Sequence, residues 1–187
     1  MRGGRPVDDE VLRLPVVDRG VVGTGDIDFN DHMNVNVYLR ILTTTTIRGL
    51  EYCGLGYDYA PKYQCGLFSV DHHARYLSEL RFGAKYTTHV RLVEASDRGV
   101  RTVAFLRDVE ERRIACTLES LLLNVDHVTR KVTPFAPRIV ERLAEATKEA
   151  SGWEWSATNC DSIAMPWTLI PASNGRRMQT VPEKRES

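Results

Sequence analysis

The stretch that decides the fold is Gly25-Asp-Ile-Asp-Phe-Asn-Asp-His-Met-Asn34, followed directly by Val35-Asn-Val-Tyr-Leu-Arg40. Its first ten residues are rich in Asp, Asn and Gly, whose side chains favour turns and caps over regular hydrogen-bond ladders. Apolar residues then recur at helical spacing as far as Cys53. The stretch therefore predicts a polar loop that leads into a long helix, with Asn34 as the N-cap and Gly54 as the stop.

The predicted helix over residues 35–53 contains four consecutive threonines at positions 43–46. β-Branched residues are weak helix formers, so the local propensity opposes this helix by about a few tenths of a kcal/mol per threonine. Tertiary packing must therefore hold it. We expect a core helix that is wrapped by a sheet.

Four segments after the helix alternate apolar and polar residues with the period of two that is typical of β-strands. They are residues 68–80, 88–95, 101–109 and 113–125. Turn residues at 97–99 and 110–112 predict hairpins between the later strands. A β-branched stretch over residues 11–22 predicts a first strand ahead of the polar loop. The order of elements indicates an α+β fold, with one antiparallel five-stranded sheet covering one helix.

The two chain ends differ in character from the predicted domain, which covers residues 11–150. Residues 1–10 are polar and predict a flexible N-terminus. A helix is expected over residues 134–151, with Gly152 as its stop. Residues 151–187 form a C-terminal extension that contains all three tryptophans and ends in a charged segment, which its composition predicts to be disordered.

Composition excludes several classes of function. The 25 basic residues are balanced by 25 acidic residues, so the chain lacks the positive field that gathers nucleic-acid phosphates. The charge-free stretch 162–175 is shorter than the roughly 20 residues that span a bilayer. The four cysteines have no spacing typical of a zinc or redox site, and the first residues lack the apolar core of a secretory signal. We expect a cytoplasmic protein with no membrane span, metal site or nucleic-acid partner.

The polar loop places acidic side chains directly before the N-terminus of a buried helix. Amide N–H groups in the first turn of a helix point outward and together carry about half a positive charge, so they can hold a developing oxyanion. A carboxylate beside them can attack a carbonyl carbon or activate water. Acyl transfer requires these two parts, and the removal of one oxyanion donor typically costs about 2.7–4 kcal/mol. The pattern therefore predicts an acyl-transfer site.

The run Ile27-Asp-Phe-Asn-Asp-His-Met-Asn34 with Tyr38-Leu-Arg40 resembles the motif of the hotdog-fold acyl-CoA thioesterases of the 4-hydroxybenzoyl-CoA thioesterase group. Within that group, it is similar to the subgroup that includes the betainyl-CoA thioesterase of carnitine catabolism, where the loop commonly reads Ile-Asp-Tyr-Asn-Gly-His-Met-Asn. The resemblance covers about residues 11–146. It includes a set of polar residues on the first long strand, namely Asp71, His73, Tyr76 and Glu79.

The resemblance implies a hotdog fold in which the sheets of two subunits join edge to edge, with active sites at the interface of a homodimer or homotetramer. The family's catalytic aspartate falls on Asp28, which would act as a nucleophile through a mixed anhydride or as a general base on water. Backbone amides from His32 to Val35 would polarise the thioester carbonyl. The implied substrate is an acyl-CoA, and no metal or separate cofactor is needed because CoA is part of the substrate.

The residues expected to bind substrate lie mainly in and after the polar loop: Asp31, His32, Met33, Asn34, Val35, Tyr38 and His73. Asp31 stands where the similar family usually has glycine. A carboxylate that faces the site there would raise the pKa of Asp28 by like-charge repulsion or block bulky acyl groups. His73 shares the polar face of its strand with Asp71, so it either lines the site or lies on the surface.

Three polar residues of the loop have purely structural roles as alternatives to functional ones. Asp28 could only cap the helix or fix the loop, and Asp26 is expected to order the loop. His32 is expected to be structural or to line the substrate, the alternatives being a general acid or a metal ligand. Two other functions stay open as well: a hotdog enzyme acting on a carrier-protein thioester or in another acyl reaction, and a non-catalytic acyl-CoA-binding protein in which Asp31 has spoiled the site.

Overall fold

The computed structural model describes residues 7–151 together with Ile163 and Met165. In chain order, the helices are α1 (Asp8–Val11), α2 (Val35–Gly49), α3 (Tyr59–Tyr63) and α4 (Pro137–Ser151). The strands are β1 (Asp18–Val21), β2 (Cys65–Tyr76), β3 (Lys85–Ala95), β4 (Gly99–Asp108) and β5 (Arg113–Asp126). Single turns of 3-10 helix over Thr24–Asp26 and Glu51–Cys53 flank α2.

The five strands form one antiparallel sheet in the order β1-β3-β4-β5-β2. Short turns join β3 to β4 and β4 to β5, as predicted, whereas β2 lies at the edge beside β5. The predicted five-stranded antiparallel sheet is confirmed. Strand β2 runs from Cys65 to Tyr76 instead of over the predicted residues 68–80, and the connection before it contains the short helix α3, which the sequence pattern did not indicate.

Helix α2 lies against one face of this sheet. Its side chains Tyr38 and Leu42 belong to an apolar cluster with Ala104, Leu106 and Leu118 of β4 and β5. The residues that alternate with these along the strands face away from α2. The prediction of a core helix covered by a sheet is therefore confirmed, although the α-helical part ends at Gly49 and only a 3-10 turn continues to Cys53.

The threonine run is held in α2 by burial and by local hydrogen bonds. Thr45 and Thr46 are both 2% exposed. The hydroxyl of Thr43 donates to the carbonyl of Leu39 at 2.7 Å, and that of Thr46 donates to the carbonyl of Leu42 at 2.9 Å. Packing and these bonds to the preceding turn therefore outweigh the poor helix propensity of the run.

The N-terminal segment differs from the prediction. The strand expected over residues 11–22 is wrong for residues 11–17, because only β1 pairs with β3. Val11 and Leu14 instead pack on Val103 and Phe105, on the face of the sheet opposite α2. Burial selects apolar and β-branched residues whether or not their backbone joins a ladder, which is why this stretch resembles a strand.

Residues 8–10, which the composition places in a flexible N-terminus, belong to α1. The carboxylate of Asp8 accepts a hydrogen bond from Nη2 of Arg107 at 2.8 Å, and this pair ties α1 to β4. At the other end of the chain, Ile163 packs on Leu121 and Leu123. Apart from Ser151, Ile163 and Met165, the extension lies outside the described residues, including the predicted stop Gly152 and the tryptophans. No helix in the described part of the chain combines the length and apolar character needed to cross a membrane.

His89 connects β3 to the N-terminal segment. Its side chain is fully buried, with Nδ1 3.1 Å from the carbonyl oxygen of Leu14 and Nε2 3.1 Å from the hydroxyl of Thr87. Burial lowers the pKa of His89 below the ordinary histidine value, and the nearby guanidinium of Arg107 adds to this effect. The imidazole is therefore kept neutral in the folded state.

This burial predicts a loss of stability in mild acid. Unfolded His89 binds a proton near about pH 6.5, but the folded state resists it, so the free energy of unfolding falls as the pH drops through about 6.5 toward the lower folded pKa. We expect urea midpoints of the wild type to fall between about pH 7.5 and about pH 5.5. His89→Gln should show a smaller fall. Equal pH dependence in both proteins would contradict the prediction.

Candidate active site

The polar loop folds back on itself before α2. Ile27 and Met33 pair as an isolated antiparallel bridge. Beside this bridge, the N–H of Asp28 donates to the carbonyl of His32 at 3.0 Å, and the N–H of Asp31 donates to the carbonyl of Asp28 at 3.1 Å. These bonds hold Asp28 next to the residues that start the helix.

The carboxylate of Asp28 is largely enclosed, with 13% of the side chain exposed. Its Oδ1 accepts a hydrogen bond from the N–H of Asn30 at 2.8 Å and lies 3.5 Å from Nδ1 of His32. Its Oδ2 has no hydrogen-bond partner among the described residues, so it is available to water or substrate. Asp28 therefore fixes the turn with one oxygen, while its other oxygen has no partner among the described residues.

Asp26 orders the loop, as predicted. Its Oδ2 accepts from the N–H of Gly23 at 3.0 Å, and its Oδ1 accepts from Nη2 of Arg40 at 3.3 Å. Both carboxylate oxygens of Asp26 are thus hydrogen-bonded within the protein, whereas only one oxygen of Asp28 is. Asp26 and Asp28 are structurally distinct for this reason.

Asn34 is the N-cap of α2, and this prediction is confirmed. Its Oδ1 accepts from the N–H of Asn36 at 2.9 Å, and its backbone is extended, as is usual for a cap. The cap satisfies one of the amides that every helix leaves unpaired at its start. It also sets the direction in which the remaining amides point.

The other amides near the start of α2 divide into bonded and unbonded groups. The N–H of Met33 donates to the carbonyl of Leu80 at 2.7 Å, and the N–H of Asn34 donates to a carbonyl within the loop at 2.8 Å. The N–H groups of His32 and Val35 have no acceptor among the described residues. Only these two of the four predicted amides from His32 to Val35 are therefore available to an oxyanion.

Asp31 occupies a left-handed backbone position, with φ at 62°. Glycine adopts this conformation without strain, and Asp and Asn are among the few other residues that do so readily. This gives a backbone reason for the glycine that the similar family usually carries there. The side chain of Asp31 is exposed. The pKa of Arg81 is raised chiefly by its hydrogen bond to Glu79, and the charge of Asp31 adds to this effect.

Substitutions at position 31 are expected to follow this backbone requirement. Asp31→Val should lower the free energy of unfolding by about 1–2 kcal/mol, because a β-branched residue is strained at positive φ. Asp31→Gly and Asp31→Asn should remain close to the wild type in urea unfolding. A valine variant as stable as the glycine variant would contradict the left-handed assignment.

Two of the predicted substrate-binding residues lie in the core beneath the loop. Met33 is 1% exposed and Tyr38 is 4% exposed. The hydroxyl of Tyr38 accepts from the N–H of Leu80 at 2.9 Å, and burial raises the pKa of Tyr38 to about 12. Its ring packs edge-on against Tyr76 at 5.5 Å. These residues support the loop and helix, whereas Val35, the first residue of α2, is half-exposed.

His73 lies on the other face of the sheet from α2. It pairs in register with Glu119, which follows Leu118 of the α2-facing cluster and therefore points the opposite way. His72, the preceding residue of β2, faces the α2 side, because successive side chains of a strand point to opposite faces. The structure does not bring His73 together with Asp28 in one subunit.

A second loop, which contains Glu79 and Arg81, lies beside the Asp28 loop; Glu79 was expected on the first long strand, but that strand ends at Tyr76. Glu79 and Arg81 form an ion pair at 2.7 Å. The pKa of Glu79 is lowered chiefly by its hydrogen bond to Arg81 and by the charge of that guanidinium. Phe29 at the tip of the Asp28 loop is 96% exposed. No sequence pattern places these loops together, because they meet through a hydrogen bond to the backbone of Leu80.

The described residues contain no group of three or more His, Cys, Asp or Glu side chains that could hold a metal ion. What they do contain is a shielded carboxylate, two unbonded amides and the positive end of a helix. This combination can activate water or attack a carbonyl carbon while holding the oxyanion that forms.

The family model of the thioesterase-like superfamily matches residues 22–143. The chain belongs to this superfamily. The matched region includes the Asp28 loop, α2, and strands β2 to β5. The site described above therefore lies inside the part of the chain that defines the family.

Curated relatives of this thioesterase-like chain are bifunctional proteins. The L-carnitine dehydrogenase/betainyl-CoA thioesterase of Agrobacterium fabrum is 28% identical over 151 residues, which are 81% of this chain and 30% of that protein. The protein of the same name from Ruegeria pomeroyi is 27% identical over 139 residues, which are 74% of this chain and 28% of that protein. The chain thus spans less than a third of the length of these relatives.

Among solved structures, a hypothetical protein from Staphylococcus aureus in complex with CoA is similar to this thioesterase-like chain. It has a TM-score of 0.66 and 23% identity, and the match covers 72% of this chain and 85% of that one. A likeness at this level of identity concerns the fold. The fold is the hotdog fold, as the sequence motif implies.

Proposed function

We propose that the chain hydrolyses an acyl-CoA thioester to the free acid and CoA. The observation that carries the proposal is the position of Asp28, whose carboxylate is 13% exposed and keeps one oxygen unbonded beside the start of α2. The N–H group of His32 lies in the same loop as Asp28, and that of Val35 lies in the first turn of α2. Membership of the thioesterase-like superfamily supports this chemistry.

Two routes use the same groups. In the first, Oδ2 of Asp28 takes a proton from water while the water oxygen attacks the thioester carbon. In the second, Oδ2 attacks that carbon itself and gives a mixed anhydride, which water then hydrolyses. In both routes the carbonyl oxygen becomes negative, the N–H groups of His32 and Val35 stabilise it, and the sulfur of CoA leaves as the carbon–sulfur bond breaks.

We further propose that β2 pairs with β2 of a second copy, in a homodimer or homotetramer with active sites at the interface. Within the described residues β2 has only β5 as a neighbour, and its residues 69–72 are exposed. A long edge strand with unpaired backbone groups favours pairing with another chain. Light scattering is expected to give at least a dimer at assay concentration. A monomer that is fully active would contradict this assembly.

The direct test is thiol release from a panel of short-chain, aromatic, long-chain and betainyl CoA esters and from a carrier-protein thioester. Betainyl-CoA belongs in the panel because the curated relatives carry that activity in their names. We expect turnover of at least one CoA ester, persisting with EDTA, since the proposed reaction uses no metal or separate cofactor. Turnover of the carrier-protein thioester alone would favour the alternative acyl enzyme. Binding of the esters without turnover would contradict the proposal and favour the non-catalytic binder.

A further inference from the structure

A recess lies at the end of α2 that is remote from Asp28. It has a volume of about 460 Å³ and is bounded by the 3-10 turn after α2, by α3 and by the first turns of α4. Helix α2 has 15 residues and is therefore about 22 Å long. The recess is thus separate from the Asp28 loop within one subunit. Its size suits a ligand of small-molecule dimensions.

Three cationic side chains line this recess: Lys62 of α3, and Arg138 and Arg142 of α4. The two arginines are four residues apart in α4 and so lie on the same side of the helix. None of the three forms an ion pair within the described part of the chain. Like charges at this spacing destabilise a helix, so their grouping without a direct ion pair is typical of a site that receives an anion.

Two carboxylates, Glu51 and Asp58, line other parts of the recess. They leave a surplus of one positive charge, since three cations face two anions. A ligand that was anionic throughout would be repelled by these carboxylates. The lining instead favours a ligand with a phosphate at the arginine side and an uncharged remainder.

Tyrosine rings in the recess provide a surface on which the uncharged part of such a ligand could pack. Tyr57 is 63% exposed, and it lines the recess together with Tyr63. Tyr63 is held by the buried Tyr59, whose ring lies 5.0 Å away and whose hydroxyl donates to Oδ1 of Asn124 at 2.9 Å. Aromatic faces of this kind stack on nucleic-acid bases without selecting a particular base.

The recess is preformed by close packing of its backbone. Gly54 has φ at 84°, and a Cβ atom at this position would lie 2.8 Å from Ile139 and 3.3 Å from Nη1 of Arg142. A side chain at this position would therefore crowd α4, and the positive φ also favours glycine. The segment after α2 and helix α4 thus approach each other closely at the wall of the recess.

We propose that this recess binds a nucleotide, with Arg138, Arg142 and Lys62 contacting its phosphates and a tyrosine stacking on its base. Guanidinium groups suit phosphate because they form two parallel hydrogen bonds to it. The nucleotide has two potential sources. One is the nucleotide end of a CoA substrate, which rests on the proposed thioesterase function, and the other is a free nucleotide.

Calorimetric titration of the full chain with ADP at low salt tests the site. The wild type is expected to bind ADP more tightly than adenosine, and Arg138→Gln/Arg142→Gln is expected to weaken ADP binding at least about tenfold. Arg13→Gln, which removes an exposed arginine near α1, should bind like the wild type. Equal urea midpoints establish that the double variant is folded. Absence of ADP binding by the wild type, or unchanged affinity in the double variant, would overturn the proposal.

Kinetics with the best CoA ester separate the two sources. If the recess holds the nucleotide end of CoA, the double variant raises KM at least about tenfold at unchanged kcat, since uniform binding is lost. If it holds a free nucleotide, ADP binding is lost and KM is unchanged. Failure of the wild type to hydrolyse any ester would count against the proposed thioesterase function alone, because the ADP titration does not depend on turnover.

Discussion

Asp28→Asn is expected to lower kcat/KM by about 10²–10⁴-fold for whichever CoA ester the wild type hydrolyses. Asparagine keeps the size of the side chain and an oxygen that accepts from the N–H of Asn30, so the turn should persist. It removes the carboxylate that takes a proton or attacks the thioester. The loss should appear mainly in kcat, because the group acts in the transition state rather than in substrate binding. Thiol release and a urea midpoint on the same preparation check the prediction.

Asp9→Asn is the matched control for this change. Asp9 is an exposed aspartate of α1, and α1 packs on the face of the sheet away from α2. The substitution removes the same charge from the chain and should leave turnover unchanged. Undiminished turnover in Asp28→Asn would show that Asp28 is only a turn residue. A fall in both variants would point to the net charge of the protein instead.

The polar loop and α2 were predictable because the interactions that define them are local. The Asn34 cap spans two residues, and the hydrogen bonds of Asp26 to Gly23 and of Asp28 to Asn30 span three and two. Hydrophobic spacing along α2 then fixes which side is buried. Turn chemistry and periodicity contain this information without knowledge of the rest of the chain.

The N-terminal segment was not predictable in the same way. Val11 and Leu14 are apolar because they cover Val103 and Phe105, which lie far along the chain. An apolar residue type indicates that the side chain is buried, but it does not indicate whether the backbone is hydrogen-bonded in a β-sheet. Helix α3 was missed because it has five residues, too few for a helical period to stand out.

The candidate site shows the same division between local and distant contacts. The motif indicates Asp28, but the amides available beside it follow from a hydrogen bond between Met33 and Leu80. The period of two correctly separates His72 from His73. Which of them faces α2 is decided by the pairing of β2 with β5, and the sequence does not contain that register.

Leu42→Ala is expected to lower the free energy of unfolding by about 3 kcal/mol, within the range of about 2–5 kcal/mol for such core truncations. Leu42 is fully buried in α2 and belongs to the cluster that includes Leu106 and Leu118. Leucine and alanine have similar helix propensities, so the loss measures packing of the helix on the sheet. Urea unfolding followed by circular dichroism gives the value. Leu12→Ala, at a position that is 47% exposed, is the control and should cost less than about 1 kcal/mol.

The Leu42 variant also tests how the site is held. The Asp28 loop is fixed by its own bridge and by the bond from Met33 to Leu80, not by Leu42. In a sample that is fully folded, kcat/KM of Leu42→Ala should therefore stay within about twofold of the wild type, because no group that contacts the substrate has moved. A large loss of activity in the folded variant would show that the packing of α2, and not the loop alone, positions the amides of His32 and Val35.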